Sequence, residues 1–194
     1  MLRRCVITPR REPVIANAPS PMLILNTERL VLRRLEPDDL EPLYALYRDP
    51  EMREFYPDGT RTFDQTKEEL DWFLNGHPRH PQLGLWATID RASGAFLGRC
   101  GLLPWEIDGT SEVELAFMID KRRWREGLAT EAARGIIHYA KEQLNLQRLI
   151  CLVMPGNEAS TGVATKLGMR LEREHTDEFG RCHIYALRLN ADSA

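Results

Sequence analysis

The chain has 194 residues, of which 43% are hydrophobic and 28% are charged, as expected for one soluble globular domain with a substantial core. A formal net charge of −3 gives no support to bulk nucleic-acid binding, and no apolar run is long enough to cross a membrane. The four cysteines show no close metal-type spacing, so we expect reduced core cysteines, a cytoplasmic location and no bound metal.

The N-terminal segment differs in composition from the rest of the chain. Residues 1–22 contain four prolines and four arginines but no continuous apolar core. We therefore expect a flexible arm there and no secretory signal. Residues 23–190 are expected to form a single domain.

The spacing of apolar residues and the helix-start and turn signals predict the secondary-structure elements. Alternation or a short apolar run predicts strands at residues 23–35, 83–89, 96–103, 112–119, 146–154, 170–175 and 182–189. Helical spacing predicts helices that start at Pro37, at Asp64, at Leu128 and at Ala159. Loops are expected at residues 75–82 and 104–111, and a turn at 178–180. The first loop holds His77 and His80 without a nearby carboxylate or cysteine, which favours solvent exposure over a metal site.

One stretch, residues 117–132, combines the end of a strand, a loop and the start of a helix. Phe117 and Ile119 follow strand alternation, and from Leu128 the apolar residues follow helical spacing. Gly127 between them can adopt backbone angles that other residues avoid. Since the N–H groups at a helix start lack partners and carry partial positive charge, the loop is suited to bind phosphate. Three basic side chains lie at the same place: Arg122, Arg123 and Arg125.

This stretch resembles motif A of the GNAT acetyltransferases, whose R/Q-x-x-G-x-G/A loop binds the pyrophosphate of acetyl-CoA. Gly127 and Ala129 take the small positions, and Trp124 stands where the general pattern has Arg or Gln. The sequence W-R-E-G-L-A-T-E-A is similar to the W-G-K-G-Y-A-T-E-A loop of the RimJ/RimL-like N-acetyltransferases. Arg125 replaces the usual first glycine and Glu126 replaces the usual lysine.

Two further segments carry the same resemblance. T-E-R-L-V-L-R within residues 25–33 is similar to the opening T-E-R-L-x-L-R of the RimJ/RimL-like group, and residues 157–169 resemble GNAT motif B. Many relatives have a Tyr at the position of Ala164, which protonates the leaving thiolate, although RimJ/RimL-like sequences commonly lack it. Ser160 is then one candidate for the general acid and solvent water another. Ser160 is equally a candidate for a hydrogen bond at the helix start.

The order of the two motifs, one strand apart, implies a GNAT fold. Such a fold is α/β, with a mixed, mostly antiparallel sheet of six to seven strands flanked by about four helices. The implied activity is transfer of an acetyl group from acetyl-CoA to a primary amine, on a small molecule or a protein N-terminus, and a homodimer is compatible with it. The altered loop and the missing Tyr leave one alternative open, a GNAT-fold module that binds acyl-CoA without catalysis.

The acceptor amine must lose a proton before it attacks, so a base is needed. Glu112 and Glu114 are two residues apart on a predicted strand and share one face just before the loop. Glu114 matches an acidic position of the family and is the first candidate for the base, with Glu112 second. Either is otherwise a solvent-facing carboxylate. No cysteine is placed for a covalent intermediate, which favours direct transfer in a ternary complex.

The resemblance also assigns the contacts to acetyl-CoA. Main-chain N–H groups of the strand end and the loop are expected to bind the thioester and the phosphates, with the Glu126 side chain directed away. Three aromatic side chains are candidates for the acceptor wall or for ordinary packing: Trp72, Trp105 and Tyr56. The expected acetyl-CoA contacts are Phe117, Met118, Ile119, Arg122, Trp124, Arg125, Glu126, Gly127, Leu128, Ala129, Thr130, Asn157 and Ser160.

Overall fold

One mixed sheet organises the computed structural model of the protein, which describes residues 22–177 and 180–189. Within these residues the sheet has eight strands: β1 (Leu23–Asn26), β2 (Leu30–Arg34), β3 (Gly84–Asp90), β4 (Phe96–Ile107), β5 (Thr110–Ile119), β6 (Arg148–Val153), β7 (Arg170–Asp177) and β8 (Gly180–Arg188). Their order is β1-β2-β3-β4-β5-β6-β8-β7. All neighbours are antiparallel except β5 and β6, which are parallel.

Helices cover both faces of this sheet. They are α1 (Leu40–Tyr47), α2 (Phe63–Phe73), α3 (Leu128–Glu142) and α4 (Glu158–Lys166). Helix α3 buries an apolar stripe that includes Ala132 and Ile136 against β4 and β5, and α4 adds Ala164 to the same core. Helices α1 and α2 pack on the opposite face, where Leu43 and Leu70 meet Met118 of β5. Helix α3 therefore lies on one side of β5, and α1 and α2 lie on the other.

The predicted class, a mixed and mostly antiparallel sheet with four helices, is confirmed. The expected count of six to seven strands is wrong, because residues 23–35 form two strands instead of one. The chain reverses between β1 and β2, where the Thr27 N–H bonds the Leu30 carbonyl at 2.9 Å and the Leu30 N–H bonds Thr27 Oγ1 at 3.0 Å. The apolar pattern runs through this turn without interruption, so alternation alone did not reveal it.

The loop expected at residues 104–111 is also wrong. Strand β4 continues to Ile107 and β5 begins at Thr110, so only Asp108 and Gly109 form the turn. Both residues have positive φ, 52° and 74°. Asp-Gly is a strong signal for a two-residue hairpin turn, because its residues tolerate this conformation and it matches the twist of the strands. The long hairpin places Trp105 opposite Glu112, within hydrogen-bond distance of Glu114.

Helix α2 begins differently from the expectation that Asp64 would cap it. Thr62 is the N-cap: its Oγ1 accepts a hydrogen bond from the Gln65 N–H at 3.2 Å, and Gln65 Oε1 accepts one from the Thr62 N–H at 2.9 Å. This reciprocal pair is a capping box. The predicted arm, except for Met22, lies outside the described residues, and so do two residues of the predicted turn at 178–180. Among the helices of the described chain, none has the length and apolar composition to span a bilayer.

The positive φ of Gly109 in the hairpin turn predicts how substitutions change the free energy of unfolding. Gly109 has φ of +74° with nothing within 4 Å of an added Cβ, so Gly109→Ala should destabilise the protein through backbone strain alone, by about 1 kcal/mol. Gly162 lies within α4 and has the same open surroundings without positive φ, so Gly162→Ala should stabilise it by up to about 1 kcal/mol. Urea unfolding of both variants measures the two signs. Equal effects of the two substitutions would contradict this assignment of the turn.

Candidate active site

The two parallel strands part soon after they meet. In the described chain β5 and β6 are in register at a single pair, Glu114 with Ile150. Just beyond it, the buried Cys151 thiol donates to the Leu115 carbonyl oxygen at 3.2 Å. In a continuous ladder, a main-chain N–H of β6 would donate to that oxygen instead. Because main-chain polar groups need partners, those that line the gap past this point are available to a ligand.

The direction of the main-chain groups along β5 decides which of them face this gap. Alternate residues of a strand direct their N–H and C=O groups to opposite neighbours. Since the Leu115 carbonyl faces β6, Phe117 and Ile119 face the gap too. Met118 faces β4, because its carbonyl lies 2.0 Å from a Cβ built on Gly98. This corrects the expectation that the Met118 N–H would contact the acyl donor.

Past the end of β5, the chain forms a short 3₁₀ turn, Lys121–Arg123, and then the loop into α3. The indole N–H of Trp124 donates to the Ile119 carbonyl at 2.6 Å, which ties the loop to the strand end. Arg125 has φ of +66° and Gly127 has φ of +81°. The backbone at Arg125 therefore takes the left-handed conformation that glycine adopts most easily. This explains why a glycine suits that position in the similar loops.

Helix α3 starts with N–H groups that have no partner within the helix. Gly127 is the N-cap, and the first intrahelical bond runs from the Glu131 N–H to the Gly127 carbonyl at 3.0 Å. The N–H groups of Leu128, Ala129 and Thr130 precede that bond. The side chains of Leu128 and Thr130 are buried, so the helix start is anchored while its N–H groups point outward along the axis.

The charged side chains of the loop are not equivalent. Arg122 folds back on Asp120, with Nε 2.9 Å from Oδ2, and Arg123 pairs with Glu126 at 2.8 Å. The Glu126 carboxylate is thus directed to Arg123 and away from the helix start. Arg125 is exposed and forms no ion pair with any residue that the structure describes. It is the arginine most available to an anion at this loop.

A group of side chains that sequence reasoning missed holds the loop in place. The Arg29 Nε lies 2.6 Å from Glu131 Oε2, its Nη1 donates to the Glu126 carbonyl at 3.0 Å, and its main-chain N–H donates to Glu131 Oε1 at 2.8 Å. Thr27 Oγ1 donates to the same carboxylate at 2.6 Å. The β1–β2 turn is therefore bonded to the first turn of α3. The signal was present in T-E-R-L and in the Glu of A-T-E-A, but nothing local shows that they meet.

Glu114 lies at the closed end of the gap, on the sheet face that α1 and α2 cover. Its Oε2 accepts a hydrogen bond from the Trp105 indole N–H at 2.7 Å. Burial raises the pKa of the Glu114 carboxyl, while the Trp105 N–H, the charge of Arg99 and the Leu152 main-chain N–H oppose that rise. The carboxylate is thus held beside both strands of the gap with its proton affinity increased.

Glu112 shares this face, as expected, but its surroundings are different. Arg148 Nε lies 3.0 Å from the Glu112 carboxylate, and Arg148 also pairs with Glu172 at 2.7 Å. Arg148 thus donates to both carboxylate oxygens of Glu112, through Nε to Oε2 at 3.0 Å and through Nη2 to Oε1 at 3.1 Å. The structure therefore assigns Glu112 to an ion pair between β5 and β6, which corrects its place as the second candidate for the base.

The comparison with protein families is decisive at this point. The family described as acetyltransferase (GNAT) domain matches residues 29–170, which is most of the chain. The chain belongs to the GNAT acetyltransferase family. Members of this family use acetyl-CoA as co-substrate, so this GNAT chain is an acetyltransferase. Over 150 residues it is 33% identical to the uncharacterized protein YkkB of Bacillus subtilis. This alignment covers 77% of this chain and 86% of that protein.

Solved structures share the fold. A GNAT-family acetyltransferase from Bacillus anthracis superposes with a TM-score of 0.74 at 22% identity and covers 87% of this chain and 99% of that one. Spermidine N-acetyltransferase from Vibrio cholerae, solved with CoA and spermine, gives a TM-score of 0.67 at 17% identity, with 83% and 96% covered. At these identities the likeness concerns the fold alone, so the acceptor of the GNAT chain must be argued from its own residues.

Helix α4 follows β6, the strand on the other side of the gap in this GNAT chain. Asn157 is the N-cap, and its Oδ1 accepts a hydrogen bond from the Ser160 N–H at 3.0 Å. The main chain of Ser160 therefore takes part in a helix-start bond, which leaves its hydroxyl for another role. Ala164 is fully buried. Its position thus carries neither a proton donor nor open space.

Two other expectations concern metals and thiols. His77 and His80 stack with ring centroids 5.6 Å apart, and no group of three potential ligands suited to a metal ion occurs in the described residues. Cys100 and Cys151 are buried and Cys182 is half-buried, all three as free thiols. Cys5 lies outside the described residues. Burial raises the pKa of the Cys151 thiol well above its ordinary value, and the charge of Glu114 adds to this effect.

Removal of the Arg29 contacts should weaken the binding of acetyl-CoA. Arg29→Gln and Glu131→Gln should each weaken the affinity for acetyl-CoA about five- to tenfold, because the loop backbone is no longer held in its binding form. Since both residues act through one contact, the double variant should be little worse than either single one. Calorimetric titration with acetyl-CoA measures all three.

Arg134→Gln is the matched control, since it removes the same charge from an exposed site on α3. Its affinity should stay that of the wild type. If Arg134→Gln weakened binding as much as Arg29→Gln, net charge would explain the effect and the positioning role would be excluded.

Proposed function

We propose that this enzyme transfers the acetyl group of acetyl-CoA to a primary amine within a ternary complex, as a member of the RimJ/RimL-like group. One observation carries the proposal. The gap between β5 and β6 has a helix start with free N–H groups at its open end and a carboxylate of raised pKa at its closed end. A phosphate site and a base thus flank the place where the strands part. The T-E-R-L and A-T-E-A segments support the subgroup.

The donor is bound mainly by the backbone in this proposal. N–H groups of Leu128, Ala129 and Thr130, with the Arg125 side chain, bind the pyrophosphate. The Phe117 and Ile119 N–H groups face the gap, where one of them polarises the thioester carbonyl as charge develops on its oxygen. A left-handed Gly127 leaves the approach to the helix start free of side-chain atoms. The Asn157 side-chain NH₂ supplies a donor from the start of α4.

Glu114 acts as the base. The amine gives a proton to the Glu114 carboxylate, directly or through water, and its nitrogen forms a bond to the acetyl carbon. The bond from that carbon to sulfur then breaks, and the thiolate takes a proton. The Ser160 hydroxyl and solvent water are the two candidates for this proton donor, because the Ala164 side chain carries no acidic proton.

Direct transfer is favoured over an acetylated cysteine. Cys151 is the thiol next to the gap, and its S–H is used as a donor to Leu115. A thiol is nucleophilic as its thiolate, and the raised pKa keeps Cys151 protonated. The amine therefore attacks the thioester itself. The acceptor is a small-molecule amine or a protein N-terminus, and an α-amino group with a pKa of about 8 loses its proton more easily than a lysine at about 10.4.

The base assignment predicts a specific response to pH. Glu114→Gln should lower kcat about 100-fold or more while acetyl-CoA binding stays unchanged. In the wild type, kcat/KM should fall as the pH drops through a Glu114 pKa that lies above the ordinary value for glutamate. Trp105→Phe removes an N–H that stabilises the ionised carboxylate, so this acid limb should move to higher pH.

Glu112→Gln serves as the matched control for the pH profile, since Glu112 lies two residues away on the same face. It should lower the free energy of unfolding through loss of the Arg148 pair and leave the acid limb where it is. An acid limb that moves with Glu112→Gln and stays in place with Trp105→Phe would reverse the assignment of the two carboxylates.

A second prediction concerns the covalent route. Cys151→Ala should keep most of the turnover, because the sulfur accepts no acetyl group, although stability should fall by about 1 kcal/mol as the bond to Leu115 is lost. Mass spectrometry of the wild type mixed with acetyl-CoA alone should find no acetylated cysteine. Loss of turnover in Cys151→Ala together with acetylated Cys151 in the wild type would overturn direct transfer.

A further inference from the structure

A buried arginine lies on the sheet face that α1 and α2 cover and forms no direct ion pair with a residue that the structure describes. Arg99 is 5% exposed. Its Nε donates to Tyr47 Oη at 2.8 Å and its Nη2 to Tyr56 Oη at 3.4 Å. Both direct partners are hydroxyl groups, and the Tyr47 hydroxyl in turn donates to Glu69, whose charge favours the ionised guanidinium. Because a guanidinium has five N–H donors, Arg99 can bind a further acceptor.

The tyrosine that binds the Arg99 Nε belongs to a larger charged network. Arg53 pairs with Asp58, and Arg61 pairs with Asp58 at 2.7 Å and with Glu69 at 3.4 Å. The Tyr47 hydroxyl donates to Glu69. Three guanidinium groups and two carboxylates form this cluster, and Glu114, which the charge of Arg99 reaches, is a third carboxylate on the same face. The members are Arg53, Arg61, Arg99, Asp58 and Glu69.

Arg99 and Glu114 belong to one surface. Arg99 pairs with Met118 across β4 and β5, and Met118 lies four residues from Glu114 on the same strand. All three side chains therefore project from the face that α1 and α2 cover. The charge of Arg99 also reaches Glu114 and lowers the pKa of its carboxyl, against the larger effect of burial. The proposed base and the buried guanidinium thus face the same space.

The segment after α1 covers this space from one side of the gap to the other. Near the end of β5, Lys121 Nζ lies 2.7 Å from Asp49 and 2.8 Å from Glu51. Near the end of β6, the Phe55 ring lies 3.8 Å from a Cβ built on Gly156. Residues 49–55 therefore span both edges of the gap, and Tyr56 follows them directly. The half-buried Tyr56 hydroxyl accepts from Arg99 and keeps its own proton for a further partner.

We propose that the acceptor of this enzyme is an amine that also carries a carboxylate, as an amino acid does, and that Arg99 and the Tyr56 hydroxyl bind this carboxylate while the amine faces Glu114. The inference rests on the proposed acetyl transfer and names its substrate class. A guanidinium binds a carboxylate through parallel N–H groups, and burial strengthens such a pair. The same charge repels an ammonium, so it favours the neutral, reactive amine and disfavours polyamines.

Matched acceptors test the proposal with the intact wild-type enzyme. Each common α-amino acid is compared with its carboxamide and with its decarboxylated amine, alongside spermidine and short peptides, by release of free thiol from acetyl-CoA. The amide has the lower amine pKa and is the easier to deprotonate, so a preference for the acid runs against intrinsic reactivity. We expect kcat/KM for the best amino acid to exceed that of its amide at least tenfold.

Three outcomes are distinguished. Preference for the acid supports the proposal. Faster acetylation of amides, decarboxylated amines or spermidine overturns it and leaves acetyl transfer intact. If no amine causes release of free thiol although acetyl-CoA is shown to bind, the result counts against both the substrate class and the transfer function.

Variants then assign the recognition to residues. Tyr56→Phe should raise KM for the preferred acid about tenfold with little change in kcat or in KM for acetyl-CoA, and should leave the amide unaffected. Arg99→Lys keeps the charge but loses the planar fork, so it should raise the same KM further. Tyr44→Phe on α1 is the control and should change nothing. Because Tyr56 is only half-buried, its variant remains informative even if Arg99→Lys fails to fold. Equal effects of Tyr56→Phe on acid and amide would overturn the assignment.

Discussion

β5 and β6 run parallel but share only one residue pair, and the rest of the site follows from their divergence. A parallel pair that continued would bond the Phe117 and Ile119 N–H groups to β6 and leave nothing for a ligand. The Cys151 thiol bonds Leu115 where the ladder ends, and Trp124 bonds Ile119 where the strand ends. The two bonds stabilise both ends of the open stretch, so the gap is built into the fold before any ligand arrives.

Side chains far apart in sequence then fix what surrounds the gap. On one face of the sheet, Arg29 and Glu131 tie the β1–β2 turn to the start of α3, and Arg29 also holds the backbone of the loop before it. On the other face, Tyr47 and Tyr56 hold Arg99 below the segment that follows α1. The face that carries α3 thus has helix-start N–H groups that charged side chains hold in place. The opposite face has the buried charge of Arg99, which shares that face with Glu114.

Local sequence signals predicted the parts of this arrangement that are local. The sequence predicted the change from strand to helix spacing around Gly127, and it also predicted the acidic side chains on β5. Both features depend on residues that are close together in the chain. The split of residues 23–35 into two strands was hidden by a continuous apolar pattern, and the Asp108–Gly109 turn was overlooked although its signal was strong. The ion pair that occupies Glu112 and the contacts of Arg99 join residues from separate elements. No local pattern encodes such contacts, so they emerged only from the fold.

The central claim is that the acyl donor lies in the gap with its phosphates on the loop before α3. Amide hydrogen exchange of the wild type, with and without acetyl-CoA, tests this most directly. The account predicts slower exchange at residues 126–130 and at Phe117 and Ile119, with no change around Leu144 at the other end of α3. Protection confined to the far end of α3, or none at the loop under conditions where acetyl-CoA is bound, would contradict it.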